Sequence, residues 1–285
     1  MNLGADNVAG VKSVARKLVL GGTDTPPDAT GFAAYRATVE AAKIKNDPEV
    51  SWLLEKPAVN IWIGEDRHVM TYSIAAGESF NMVLSHVDRS DPSTWKPEDA
   101  VKDMQGYFKG WDHGLTKIIN MIEKTIKWPL RSGQALERWV APSNKVLIMG
   151  DAAHAMVPYM SQGAAMAVED GAALATVLSL IETADQIPAA LKAFETVRIK
   201  RSSQIQEASL LNGKIWHFPD GPEQKTRDES MRPEVEGQSF SWSANQWSDP
   251  VTQWWAYGYD AEKDMEDGWK AMSGKSKVIN GVSKL

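Results

Sequence analysis

The stretch from Val146 to Leu174 constrains the fold of this chain more than any other. An apolar run over 145–149 leads directly into Gly150-Asp151, and a helix of small residues starts near Gly163. This order predicts a strand over 145–149, a loop, and a long helix over 164–181, which is a repeating unit of α/β proteins. A carboxylate at the carboxyl end of such a strand lies where open α/β sheets bind their ligands.

The residue types around this loop favour one kind of ligand. Gly163, Ala164 and Ala165 open the helix, so a ligand can approach its free backbone N–H groups, where the helix dipole favours negative charge. Asp151 has no cationic neighbour in the loop, which suits contact with the hydroxyls of a polyol. A flavin offers both features. The spacing also allows an ordinary strand–loop–helix in which small residues serve close packing.

Between residues 31 and 86 the sequence changes to short segments bounded by turn residues. They are rich in β-branched and aromatic residues, which predicts an antiparallel sheet. The predicted strands are 32–39, 58–63, 68–74 and 80–86. A short helix over 41–54 interrupts them, and further helices are predicted from Pro97, over 113–122 and over 187–211.

The last fifth of the chain is rich in tryptophan. It contains Trp242, Trp247, Trp254, Trp255 and Trp269. Because the residues beyond Gly213 show little periodicity, we interpret this region as a tail with little regular structure. Its large amphipathic indole rings would hold it to the body.

Composition excludes several classes of function. Lys plus Arg number 31 and Asp plus Glu number 37, so the formal charge of −6 argues against a nucleic-acid partner and weakly against an anionic membrane surface. The absence of cysteine excludes disulfides, thiolate nucleophiles and cysteine-based zinc sites. The longest apolar run, 172–181, is too short to span a bilayer. We therefore expect a cytoplasmic protein with a small-molecule ligand and no metal.

The loop motif resembles that of a known family. Gly150-Asp151-Ala152-Ala153-His154, followed by Pro158 and Gln162-Gly163, is similar to the second flavin motif of the class A flavoprotein monooxygenases, and closest in type to fungal salicylate-hydroxylase-like members. The resemblance covers nearly the whole chain from Leu3 onward. Further segments that carry it are Ala34-Tyr35-Arg36, 67–72 and 211–216.

The resemblance implies roles for individual residues. In the family, the carboxylate matching Asp151 contacts the ribityl–pyrophosphate part of FAD, and the proline matching Pro158 lies near the isoalloxazine. His154 is expected to pack against local backbone, and Glu169 and Asp170 to cap or pair near the helix. The cofactor-binding candidates are Asp6, Arg16, Gly150, Asp151, Pro158, Gly163, Ala164 and Ala165.

The resemblance also implies a fold and a reaction. The expected fold class is α/β (α+β), with a partial FAD-binding Rossmann-like domain, an antiparallel β-sheet substrate domain and C-terminal helices. The expected domains are a remnant of the FAD domain over 1–22, the β-sheet substrate domain over 23–140, the FAD-domain motif with its helix over 141–182, and a C-terminal helix with the tryptophan-rich tail over 183–285. The expected reaction is FAD- and NAD(P)H-dependent hydroxylation of an aromatic or polyketide-type molecule. Arg36, His68 and Tyr72 are the catalytic candidates, and His86 is a further pocket candidate.

Two departures from the family pattern leave other functions open. No Gly-x-Gly-x-x-Gly follows a strand, so we expect part of the usual FAD domain to be missing and FAD binding to be weak or lost. In addition, residues 7–9 interrupt the motif that begins Gly4-Ala5-Asp6. The alternatives are a redox-silent scaffold that catalyses a flavin-independent cyclisation or isomerisation, and a non-catalytic subunit. A homo-oligomer is also possible.

Overall fold

A computed structural model describes residues 10–24 and 27–281, and the chain divides into two compact units. The sheet unit comprises Ala29–Leu130 and Lys214–Glu229. The helical unit comprises Met1–Asp28, Arg131–Gly213 and Ser230–Leu285.

The sheet unit is built on five strands in the order β2-β3-β4-β1-β5. Neighbours among β1 to β4 pair antiparallel, as the alternating pattern predicts. The strands are β1 (Asp28–Glu40), β2 (Val59–Gly64), β3 (Arg67–Ile74), β4 (Ser79–Val87) and β5 (Ile126–Ser132). Strand β5 is not predicted from the sequence, because Pro129 interrupts its alternating pattern. Proline cannot donate a ladder hydrogen bond, so it is confined to edge strands such as this one.

One face of the sheet forms the core of this unit. Tyr35, Ala37 and Val39 alternate into it from β1, and they pack with residues of two short helices, α3 (Ala100–Tyr107) and α4 (His113–Ile119). The predicted helix over 41–54 is wrong in extent. It consists of α2 (Ala41–Lys45) and a separate 3-10 turn (Ser51–Leu54), since Pro48 and the residue before it disfavour a continuous helix.

The described part of the helical unit contains α1 (Ala15–Leu20), α5 (Asp151–His154), α6 (Gly163–Ser179), most of α7 (Ile187–Trp216), the end of α8 (Pro222–Val235), α9 (Pro250–Tyr257) and α10 (Ala261–Gly281). Its buried core joins α1, α6, α7 and α10. The core includes Val19, Trp139, Ala173, Val177, Phe194 and Met265.

Two sequence predictions for this unit are wrong. The run 145–149 is not a strand, because it finds only a short partner: a single antiparallel bridge joins Val140 and Leu147, and the Ile148 N–H donates to the Trp139 carbonyl at 2.9 Å. The tail is helical rather than irregular, and Trp269 of α10 packs on the core.

The fold class is confirmed as a mixture of helices with an antiparallel sheet. The Gly150-Asp151 motif is carried by a loop with α5 and α6. No helix within residues 10–24 and 27–281 combines the length and apolarity that crossing a membrane requires.

Candidate functional site

Asp151 is the first residue of α5, and its side chain is exposed between two glycines. A Cβ atom added to Gly163 would lie 4.0 Å from Oδ1 of Asp151, and one added to Gly10 would lie 4.0 Å from Oδ2. Gly10 has a φ of +44°, in the left-handed region that favours glycine. The carboxylate therefore faces backbone rather than side chains on both sides.

The start of α6 offers hydrogen-bond donors beside this carboxylate. The side chain of Gln162, the residue before the helix, makes no capping hydrogen bond, and Ala164 in the first turn is exposed. The N–H groups of the first turn have no partner within the helix and attract negative charge. A carboxylate that accepts from hydroxyls, next to N–H groups that donate to carbonyl or anionic oxygens, fits the polyol chain and pyrimidine edge of a flavin. Pro158, also exposed, begins the turn that leads to this helix.

Gly150 sets the direction in which α5 leaves the loop. Its φ is +58°, and a Cβ atom there would lie 3.4 Å from the Cβ atom of Ala167. Both the backbone conformation and the close approach of α6 require glycine at this position. The Gly150 N–H donates to Oδ2 of Asp170 at 2.9 Å.

Asp170 is fully buried and forms the centre of a polar network. Besides Gly150, its carboxylate contacts Nε2 of His154 at 2.8 Å and Nε of Arg198 at 2.9 Å. Burial opposes ionisation, yet the hydrogen bond with His154 and the charge of Arg198 hold the pKa of Asp170 below its usual value. The partner expected for His154 is therefore wrong: its ring bonds to a carboxylate, 16 residues away, and not to local backbone.

The network continues through two arginines to the C-terminal part of the helical unit. Glu169 pairs with Arg198 at 2.9 Å and with Arg201 at 3.3 Å, which confirms the prediction that both acids of this helix form pairs. Arg201 also donates to the carbonyls of Trp255 and Ala256 at 3.0 and 2.9 Å. The pairing of these arginines with the acids of α6 is not predicted from the sequence, because Arg198 lies 28 positions from Asp170.

Arg16 is buried and bonded to protein groups. Its guanidinium pairs with Asp24 at 2.9 Å and donates to the Ala152 carbonyl at 2.6 Å. The structure thus places Arg16 against the backbone of α5, and direct contact with a cofactor stays a prediction. Asp6 lies outside the described residues.

Arg36, His68 and Tyr72 lie on the face of the sheet opposite the core. The strand register places Tyr72 across from Asn81, and Nε of Arg36 donates to Oδ1 of Asn81 at 3.3 Å. Asn81 is fully buried, and its Nδ2 has no hydrogen-bond partner among the described residues. Because this atom is closed to solvent, a ligand on this face would meet the exposed Arg36 rather than Asn81.

His68 is buried and shares a hydrogen bond with His217, a residue that the sequence analysis missed. Nδ1 of His68 lies 2.8 Å from Nε2 of His217, and the Trp216 ring meets His68 edge-on. Burial lowers the pKa of His68 well below 6.5 and that of His217 to about 4. Both imidazoles are therefore neutral at pH 7, and one accepts the proton that the other donates.

His86 belongs to the other face of the sheet. Its ring stacks on Tyr35 with centroids 5.1 Å apart, and Nδ1 donates to the Val87 carbonyl at 2.9 Å. Since Tyr35 is part of the core, His86 does not share a surface with Arg36 and Tyr72. Across the described ranges, no group of three or more His, Asp or Glu residues is placed to hold a metal ion.

Comparison with known proteins supports the flavin-binding motif of residues 150–163. Residues 10–209 match the family described as FAD binding domain. The chain is 34% identical over 252 residues to the FAD-dependent monooxygenase OpS4 of Beauveria bassiana (strain ARSEF 2860), covering 88% of this chain and 58% of OpS4. It is 32% identical to the 3-amino-4-hydroxybenzoate 2-monooxygenase PtnB3 of Streptomyces platensis, covering 84% of this chain and 57% of PtnB3.

The chain thus spans a little over half the length of these curated relatives. The solved structure of a salicylate hydroxylase substrate complex matches with a TM-score of 0.72 at 25% identity, over 91% of this chain and 62% of that chain. Sequence and structure agree on the same group of proteins. The chain therefore belongs to the class A flavin monooxygenase family that is built on the FAD binding domain.

Proposed function

We propose that this chain takes part in the FAD-dependent hydroxylation of an aromatic or polyketide-type small molecule, with NAD(P)H as the reductant. The observation that carries the proposal is the Asp151 carboxylate, exposed between Gly10 and the uncapped start of α6 at Gly163. We place the reaction in the cytoplasm, and the lack of cysteine is compatible with that reducing compartment.

The helical unit supplies the groups that would hold the cofactor. Asp151 would accept hydrogen bonds from ribityl hydroxyls, and the N–H groups of Gly163 to Ala165 would donate to the pyrimidine edge. Pro158 would bound the ring system. FAD, when bound, supplies electron transfer from the reductant and the activation of oxygen. The role of the protein is to orient the cofactor and to exclude competing reactions.

The sheet unit supplies groups that would recognise the substrate. Arg36 is an exposed cation on this face, and Asn81 orients it by accepting a hydrogen bond from its Nε at 3.3 Å. The guanidinium suits a carboxylate or an enolised carbonyl on an aromatic ring. His68 and His217 would orient a bound molecule as neutral hydrogen-bonding groups, because burial lowers the pKa of both imidazoles. The relative PtnB3 is named for a hydroxybenzoate substrate, which supports this class.

A flavin titration tests the proposal. FAD fluorescence should be quenched on addition of the purified chain. The Asp151→Asn variant should bind about 10- to 100-fold more weakly, because a hydrogen bond to a charged group contributes roughly 1.5–3 kcal/mol. Glu182→Gln, which changes an exposed acid elsewhere in the same unit, is the matched control and should bind like the wild type.

Two results would contradict the proposal. One is a wild-type chain that shows no quenching with FAD at any concentration. The other is turnover of an aromatic or polyketide substrate without flavin or NAD(P)H, which would establish a redox-silent catalyst instead.

A further inference from the structure

The short helix α5 carries Asp151, and its two ends meet on one oxygen atom. Oδ2 of Asp170 lies 2.9 Å from the N–H of Gly150, just before the helix, and 2.8 Å from Nε2 of His154, the last helical residue. A helix of four residues is far too short to be stable by itself. Its geometry must therefore come from such tertiary contacts.

A second contact holds the middle of the same helix. Nη1 of Arg16 donates to the Ala152 carbonyl at 2.6 Å, and Asp24 binds the guanidinium at 2.9 Å. Arg16 is only 4% exposed, so this bond is shielded from competing water. The carbonyls of a single-turn helix lack partners within the helix, and Arg16 satisfies one of them.

We propose that Asp170 and Arg16 are positioning residues that fix α5 and thereby aim the Asp151 carboxylate between Gly10 and Gly163. The inference rests on the proposed role of Asp151 toward FAD. It assigns the affinity for the cofactor to two side chains that need not touch it. Residues that orient metal ligands commonly change the affinity for the metal by about 10- to 100-fold when they are replaced, and by analogy we expect a loss of FAD affinity here.

Arg198 makes this arrangement possible for a buried carboxylate. It compensates the charge of Asp170 through Oδ1, at 2.9 Å, and leaves Oδ2 to the two ends of α5. Both oxygens of Asp170 accept hydrogen bonds, Oδ1 from Arg198 and Oδ2 from the two ends of α5. An asparagine at position 170 has one acceptor oxygen and therefore cannot replace both.

The test compares Asp170→Asn and Arg16→Lys with a matched control, Glu195→Gln. Glu195 is a buried carboxylate of the same unit that accepts from the N–H groups of Trp139 and Val140 and from Nζ of Lys192, none of which belongs to α5. Hydrogen–deuterium exchange of the peptide spanning 150–154 and FAD affinity are both measured at a temperature where every variant is folded.

In Asp170→Asn we expect about tenfold faster exchange over 150–154 and about tenfold weaker FAD binding. Arg16→Lys should change both in the same direction, and Glu195→Gln should change neither. Unaltered exchange over 150–154 in Asp170→Asn and Arg16→Lys would overturn the inference, as would a Glu195→Gln variant that loses FAD equally.

The design separates this inference from the proposed function. If the wild type binds no FAD, the proposed function fails, whereas the exchange over 150–154 still decides whether Asp170 and Arg16 hold α5. If Asp170→Asn does not fold, Arg16→Lys provides the same two measurements from the other side of the helix.

Discussion

The two units bury polar groups in opposite ways. Behind the flavin motif of the helical unit, Asp170 and Arg198 are fully buried as ions, and each compensates the charge of the other. On the face of the sheet opposite the core, His68 and His217 are buried as neutral imidazoles, because burial lowers the pKa of each. Both arrangements avoid leaving an unpaired charge in a medium of low dielectric constant.

The two kinds of buried pair differ in whether their hydrogen bonds are fixed or can reverse direction. An ion pair inside the protein fixes both side chains, because losing either partner leaves an uncompensated charge. A pair of neutral imidazoles shares one proton and can exchange donor and acceptor roles. The first arrangement suits a rigid support for α5, and the second suits a hydrogen bond whose direction can reverse.

The largest effect is expected from breaking the ion pair. Asp170→Ala removes one of the two carboxylates that pair with buried Arg198, with Glu169 as the other, and it deprives the Gly150 N–H and the His154 ring of their acceptor, so the free energy of unfolding should fall by about 3–5 kcal/mol. The double variant Asp170→Ala/Arg198→Met should recover a large part of this loss. Urea unfolding followed by fluorine NMR of 5-fluorotryptophan at Trp139 measures the helical unit. Equal losses in the single and double variants would show that the charge is not what matters.

We expect acid to destabilise the sheet unit more than the helical unit, with a smaller effect for each histidine than for the loss of Asp170. Below pH 6.5 the unfolded chain binds protons that folded His68, His86 and His217 do not, so the sheet unit should lose stability as the pH falls from 6.5 to 4, and His217 alone should contribute up to about 3 kcal/mol of that loss. The folded pKa of Asp170 lies below 3.8, so its contribution to the helical unit persists over that range and is lost only at lower pH. The 5-fluorotryptophan signal of Trp111 reports unfolding of the sheet unit, and that of Trp139 reports unfolding of the helical unit. If the stability of both units falls with pH in the same way, the comparison is refuted.

The sequence was informative where the chemistry is local. Strands β1 to β4 followed from alternation. The juxtaposition of Asp151 with Gly163 followed from a spacing of twelve positions in a segment whose residue types match a family motif. The contacts of Asp170 with Arg198 and of His68 with His217 join residues 28 and 149 positions apart. No periodicity or spacing encodes such pairs, because only the packing of the folded chain decides which buried donor meets which acceptor.

The histidine pair also gives the smallest and most specific prediction. His217→Phe retains a ring that can stack on Phe32 but removes the hydrogen bond to His68, so it should lower the free energy of unfolding of the sheet unit by about 1 kcal/mol at pH 7. It should also remove the contribution of His217 to the acid transition, because phenylalanine does not titrate. His113→Gln, at a side chain that is 82% exposed, is the control and should leave the transition between pH 6.5 and 4 in place. An unchanged transition in His217→Phe would mean that other buried groups, with His86 the foremost, set the acid response of this unit, because burial lowers the pKa of His86 to about 4 as well.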